Sequence, residues 1–266
     1  MESMKIKCEI VTPLLMHGAD GKRAELREQS FKGVMRFWWR AINGNLSLKE
    51  LKGKEAKIFG NTSKKSSFRM RIRDKNLNKE GFNPLPHKLR NGQPLFMIEG
   101  FSPNQTFEIE FKGKNLEKIK NIFILSTVLG GFGQRARRGF GSIKVLKING
   151  EDFQFERLND DNIIKKVIKQ INPEFSFNDE NFKSKRKYPY IKNIEIGKEY
   201  DNYNELLKKI GLATHKYPCF GRASPRYASP VWISVLKEGK IFRPIITSLN
   251  GRGCWKNFND FKGMIL

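Results

Sequence analysis

The stretch GGFGQRARRGFG, residues 130–141, decides the fold by the order in which it joins its neighbours. On its N-terminal side the apolar run at residues 122–129 reads as a buried helix, and on its C-terminal side residues 142–148 alternate as a strand does. The order is helix, glycine-rich loop, strand. A dinucleotide fingerprint needs strand, glycines, helix, and the chain contains no GxxxxGK[ST] phosphate loop. Five glycines in the stretch permit positive φ and close approach to backbone N–H groups, while Arg135, Arg137 and Arg138 set three guanidinium groups on one loop. Such a loop suits a phosphate backbone, with Gly131, Gly133, Gly139 and Gly141 letting N–H groups reach phosphate oxygens.

Further out, residues 5–11 alternate Ile6, Cys8 and Ile10 with Lys5, Lys7 and Glu9, the pattern of a strand with one buried face. Residues 12–28 carry Pro13, Gly18 and Gly21 and form a loop; Ser30 is then placed to cap a helix reaching Ile42. Projected on that helix, Phe31, Met35, Trp38 and Ile42 share one side, and Lys32, Arg36, Trp39 and Arg40 gather on a neighbouring one. The cations are not interleaved with acids, so RNA contact is one reading of this face and a solvated core edge is the other. Trp39 either stacks on a base or rims the core. Residues 44–57 hold a short helix closed by Phe59-Gly60, and residues 67–73 form a strand with Arg69, Arg71 and Arg73 on one face. The Pro-containing segment 75–93 reads as a long loop, residues 106–112 as a strand, and Asn115 begins the second long helix.

The element order β, α, β, β, α, β defines an α+β, ferredoxin-like (RRM-like) domain over residues 1–150. The RNP1 pattern of RNA-recognition domains is missing, so RNA is expected on loops and helix faces. Residues 151–266 predict a helix at 160–171, a basic loop at 183–187, a strand at 190–196, a helix at 203–210 and two strands, 231–236 and 241–246, around Glu238-Gly239. That pattern fits a second, reduced or diverged ferredoxin-like domain.

Charge narrows the partner. The 51 Lys and Arg against 27 Asp and Glu give a net charge of +24, and residues 1–150 hold 30 basic and 13 acidic side chains of these totals. A surface this basic attracts polyanions, nucleic acid first among them. No run reaches the roughly 20 apolar residues that span a bilayer, and the N-terminal MESMKIKCEI lacks an apolar signal core. A cytoplasmic protein is expected. Cys8, Cys219 and Cys254 are too few and scattered to predict a disulfide framework or a zinc site.

The segments TPLLMHGAD, ELREQSFKGVMRFWWRA, IFGNTSKKSSFRMRI, GGFGQRARRGFGSIKV and FGRASPRYASPVWISV resemble the RAMP proteins of CRISPR systems, most closely the first RAMP subunits of type III-B Cmr modules. The resemblance covers residues up to about 145 and returns at 220–247. It implies a non-catalytic subunit capping a filament built on CRISPR RNA, near the guide's 3′ part, with target RNA and other RAMP subunits as neighbours. It implies no cofactor, no small-molecule substrate and no membrane. RNA contacts carried over by the resemblance are Arg27, Lys32, Arg36, Trp39 and Arg40, the loop Gly131, Gly133, Arg135, Arg137, Arg138, Gly139 and Gly141, and more weakly Arg222 and Arg226, where Ser224-Pro225 equally sets a turn.

Two other readings stand beside it. Relatives in the same superfamily are metal-independent endoribonucleases that use a histidine; His17, just after the first strand, is the best placed here, ahead of His87 and His215. Asp20, Glu25 and Glu28 lack metal-cluster spacing, although Asp20 is a loop aspartate worth testing. A purely structural assembly subunit, binding acidic neighbours through its basic face, is the third.

Overall fold

Alternation along the first strand sets the main sheet. In the computed structural model, which describes residues 2–73, 76–153, 161–177, 189–221 and 227–266, strand β1 (Glu2–Ile10) buries Met4, Ile6, Cys8 and Ile10 and turns Lys5 and Lys7 outward. Helix α1 (Glu28–Ala41) packs Phe31, Met35 and Trp38 inward. Its N-cap is Arg27 without a side-chain cap bond, one turn earlier than Ser30, because buried Leu26 brings the chain in and Glu28 accepts the Ile72 N–H at 3.1 Å. Helix α2 (Leu48–Phe59) starts on a Ser47/Glu50 capping box and ends on Gly60 at φ 76°. Strand β2 (Phe68–Arg73) follows.

The segment expected to be a long loop contains two small hairpins. Strands β3 (Lys79–Phe82) and β6 (Ile98–Phe101) pair, and between them β4 (Leu89–Arg90) pairs with β5 (Gln93–Pro94). Strands β3, β4 and β5 are short and largely exposed, and β6 is buried only at Gly100 and Phe101, so none carries a core-facing alternation to read. Strand β7 (Thr106–Gly113), helix α3 (Leu116–Leu129), strand β8 (Ile143–Ile148) and the two-residue β9 (Glu151–Asp152) complete the first half. The sheet order is β2-β7-β1-β8-β9, with antiparallel neighbours throughout.

The second half has helix α4 (Asp161–Ile171), strand β10 (Ile191–Ile196), helix α5 (Tyr203–Lys216), strands β11 (Val231–Glu238) and β12 (Ile241–Leu249), and helix α6 (Phe258–Gly263). Its sheet runs β10-β12-β11, antiparallel. Cys219 and Cys254 form a disulfide, correcting the expectation from their scatter: 35 residues apart in sequence, their Cα atoms lie 5.5 Å apart.

Hydrophobic packing ignores residue 150. One buried cluster joins Trp38, Ile122 and Phe132 to Ile164, Ile168, Trp232 and Ile245. A second joins Val11, Leu15 and Phe140 to Ile210, Phe220, Ile233 and Phe261. The two phenylalanines of the glycine-rich loop therefore sit in different cores. At the bilayer scale, no helix among the described residues is long and apolar enough to cross a membrane.

Candidate nucleic-acid interface

The glycine-rich loop lies along the seam between the halves. Gly141, at φ 66°, is fixed by sterics: a Cβ there would lie 1.9 Å from the Phe132 carbonyl oxygen. Gly133, at φ 83°, lies against the Leu15 carbonyl, 2.4 Å from where its Cβ would be. Backbone pairing explains these approaches. Phe132 N–H donates to Gly141 O (2.9 Å), Gln134 N–H to Leu15 O (2.7 Å), Gly139 N–H to Ile233 O (2.9 Å) and Gly141 N–H to Pro13 O (2.9 Å). The expected cradle of free N–H groups is thus corrected at Gly139 and Gly141, whose donors, like those of Phe132 and Gln134, are committed to carbonyls of the same chain. Beneath them the Thr12 hydroxyl donates to Gly139 O (2.6 Å), and the Ser142 hydroxyl accepts the Val235 N–H (2.9 Å). Gly131 and Gly139 are buried.

Two of the three loop arginines also turn inward. Arg138 donates to Phe220 O at 2.9 Å, and burial, reinforced by Arg135 and Arg137, pulls its guanidinium down to about 10, so it remains charged at neutral pH. Arg137 donates to Ser229 O, and its guanidinium lies 5.4 Å from the Phe37 ring centre and 4.9 Å from that of Trp232. These are seam contacts, the cation seated against a pair of touching aromatic rings, one from α1 and one from β11. Arg135, in the left-handed region at φ 59°, is half-buried beside exposed Gly133 and Gln134.

The helix cations are similarly engaged. Arg40 makes a two-point contact with Glu55, and Arg36 lies 3.4 Å from the same carboxylate while donating to Phe59 O and Gly60 O, both at 3.1 Å. Together they clamp α1 to α2, and Glu55 supplies the acid that relieves their mutual repulsion. Trp39 is 2% exposed and meets Phe59 edge-on at 6.4 Å, so its ring offers no face to a base; the core reading of that residue is the one found. Lys32 sits 4.9 Å from the centre of the Phe68 ring, and burial followed by the Arg36 charge lowers its pKa. Arg27 is half-buried at the start of α1. Arg222 and Arg226, like the basic loop at 183–187, lie outside the described residues.

Cations with no such commitments occur on the open face of the main sheet. Register places Lys5, Lys7 and Glu9 of β1, Glu108, Glu110 and Lys112 of β7, and Arg69, Arg71 and Arg73 of β2 on that face. Glu110 accepts from Arg73 at 2.8 Å and pairs with Lys112 at 2.9 Å, contacts that hold its carboxyl down at about 2. Glu108 pairs with Lys5 at 3.6 Å, and Glu9 with Lys237. Beside β2 a groove of about 610 Å³ is lined by Lys32, Lys65, Arg69 and Lys112, with Glu28 as its acid. Lys7, Lys65 and Lys112 are not among the sequence-predicted RNA contacts; alternation along β1 and β7 signals Lys7 and Lys112, whereas Lys65, in the loop before β2, carries no such signal.

Of the three histidines, His17 lies against the glycine-rich loop and His87 beside His215. His17 Nε2–H donates to Glu99 O (2.8 Å), leaving Nδ1 to accept from the Gln134 amide (3.2 Å). His87 lies 5.6 Å from His215, and burial, then the charges of His215, Lys88 and Arg135, lower it to about 4. Asp20 closes a turn by accepting the N–H groups of Lys22 (3.0 Å) and Arg23 (3.1 Å), which lower its pKa.

A family model described as the RAMP superfamily matches residues 7–144, slightly more than half of the chain, and the chain belongs to that superfamily. Within it, the chain is 32% identical over 171 residues to CRISPR system Cmr subunit Cmr1-2 of Pyrococcus furiosus, covering 52% of this chain and 91% of that protein. Against Cmr subunit Cmr1-1 of the same organism it is 28% identical over 148 residues, 48% of this chain and 42% of that one. The fold is similar to the apo crystal structure of Cmr1 from Pyrococcus furiosus, with TM-score 0.66 and 19% identity over 95% of this chain and 89% of that one. It is also similar to a chain of the type III-B Cmr-beta complex bound to cognate target RNA, with TM-score 0.64 and 11% identity over 99% and 98% of the two chains.

Proposed function

We propose that this chain is a non-catalytic RNA-binding subunit of a CRISPR type III-B (Cmr) RNA-guided effector complex. In this reading it helps cap the filament near the 3′ part of the CRISPR RNA, contacts the guide and target RNA beside other RAMP subunits, and serves antiviral defence. The observation that carries the proposal is the 32% identity to Cmr1-2, which extends over 91% of that protein. The charge of +24 is in keeping with it.

The strand order β2-β7-β1-β8, with α1 and α3 as the crossovers, supports reading residues 1–150 as a ferredoxin-like domain. The sheet β10-β12-β11 with α4 and α5 supports a reduced second unit over 151–266. Phosphate contacts position RNA without reading sequence, so specificity falls to pairing between guide and target. Among the loop and helix cations, Arg27, Lys32 and Arg135 are the described candidates for such contacts. Against the endoribonuclease alternative stands His17, whose two ring nitrogens are both engaged within the chain.

The test is to mix the purified chain with labelled single-stranded RNA across a salt series, with and without magnesium or manganese, and to run the same samples on a denaturing gel. Intact RNA bound with little sequence preference, with log K falling by about 0.7 per phosphate contact against log salt, supports the proposal. Discrete products that vanish in His17→Ala would replace it with the nuclease reading.

A further inference from the structure

We infer that RNA lies across the open face of the main sheet, along a track from the groove beside β2 to β1, and is held by phosphate contacts to Lys7, Arg69 and Arg71. This deepens the RNA-binding reading and rests on it. The face is already charge-sorted. Each glutamate that β1 and β7 turn to this face is matched to a cation: Glu9 to Lys237, Glu108 to Lys5, Glu110 to Arg73 and Lys112. Lys7, Arg69 and Arg71 remain, exposed and without an ion pair among the described residues. Across the ladders Lys7 faces Glu108 and Arg71 faces Glu110, carboxylates already paired with other cations, so the face keeps a net positive charge available to a polyanion.

Geometry favours an extended nucleic-acid strand over a compact anion. Arg69 and Arg71 are two residues apart on β2, which separates their Cα atoms by about 6.7 Å, comparable to one step between successive phosphates of an extended strand. At the end of that row the groove adds Lys32 and Lys65 around Arg69. No aromatic ring stands on this face of β1, β2 or β7, whose outward residues are charged or polar, so bases are not stacked and binding is indifferent to sequence.

The experiment uses the full chain and a labelled single-stranded RNA of mixed sequence, followed by fluorescence anisotropy across a potassium chloride series. Three proteins are compared: the unaltered chain, K7Q/R69Q/R71Q, and K49Q/K208Q/K240Q, which removes the same charge at exposed sites elsewhere. The K7Q/R69Q/R71Q protein is expected to bind about tenfold or more weakly, with the log K against log salt slope shallower by about 2, while the control keeps its slope. K7R/R69K/R71K, which keeps all three charges, should restore it. Equal slopes for the two glutamine triples would overturn the sheet-face assignment and leave the RNA-binding reading intact. No RNA binding by the unaltered chain would remove that reading itself. If polyglutamate binds the unaltered chain and RNA does not, the face is a docking site for an acidic protein and the inference fails.

Discussion

Two clusters of arginine in this molecule share a composition and differ in what faces them. In the glycine-rich loop, Arg137 and Arg138 meet the carbonyls of Ser229 and Phe220 and the rings of Phe37 and Trp232, all supplied by the same chain. On β2, Arg69 and Arg71 meet solvent. The first cluster joins two halves; the second has charge left over. A basic motif is thus a binding site only where the fold has not already provided its counterparts.

Substitutions should separate the two. The largest expected effect is Gly141→Ala, which forces a Cβ onto the Phe132 carbonyl at positive φ and should destabilise the fold by about 3 kcal/mol or more, read as a denaturant midpoint shift. Arg138→Met keeps the apolar stem but removes a charged donor from Phe220 O and should cost about 2 kcal/mol. A loss of RNA affinity by this variant without loss of stability would break the comparison. Reducing the Cys219–Cys254 bond, which closes the segment containing Phe220, should lower stability by about 2–4 kcal/mol. By contrast R69Q/R71Q should leave stability within about 0.5 kcal/mol.

A separate effect concerns pH. His87 titrates near 4 in the folded chain and near 6.5 when unfolded, so the unfolded state binds more protons between those values. Stability should therefore be unaffected by this group above about pH 6.5 and fall as pH drops from there towards 4. His87→Gln should flatten that part of the stability profile, measured by thermal melts.

Much of the framework was legible because it depends on period. Ile6, Cys8 and Ile10 alternate with charges, and residues 122–129 are apolar but for Ser126 and Thr127 and are buried on every side, as a helix within the core requires. Hairpins β3/β6 and β4/β5 were not legible, since β3, β4 and β5 are short and exposed and β6 is buried only at its end, Gly100 and Phe101. The direction of the loop arginines was hidden for another reason. Ser229 is 92 residues from Arg137 and Phe220 is 82 from Arg138, so the partners exist only once the second half has folded onto the first. Likewise Trp39 reads as an exposed aromatic among cations until Glu55 of α2 is seen drawing Arg36 and Arg40 over the core edge.

The most direct test of the central claim is crosslinking of bound RNA carrying photoreactive groups on its phosphates to the full chain, with crosslinked peptides mapped by mass spectrometry. Crosslinks concentrated in β1, β2 and β7, with the inward loop positions Arg137 and Arg138 unmodified, are the predicted result. Crosslinks concentrated at Arg137 and Arg138, with β2 clean, would contradict it.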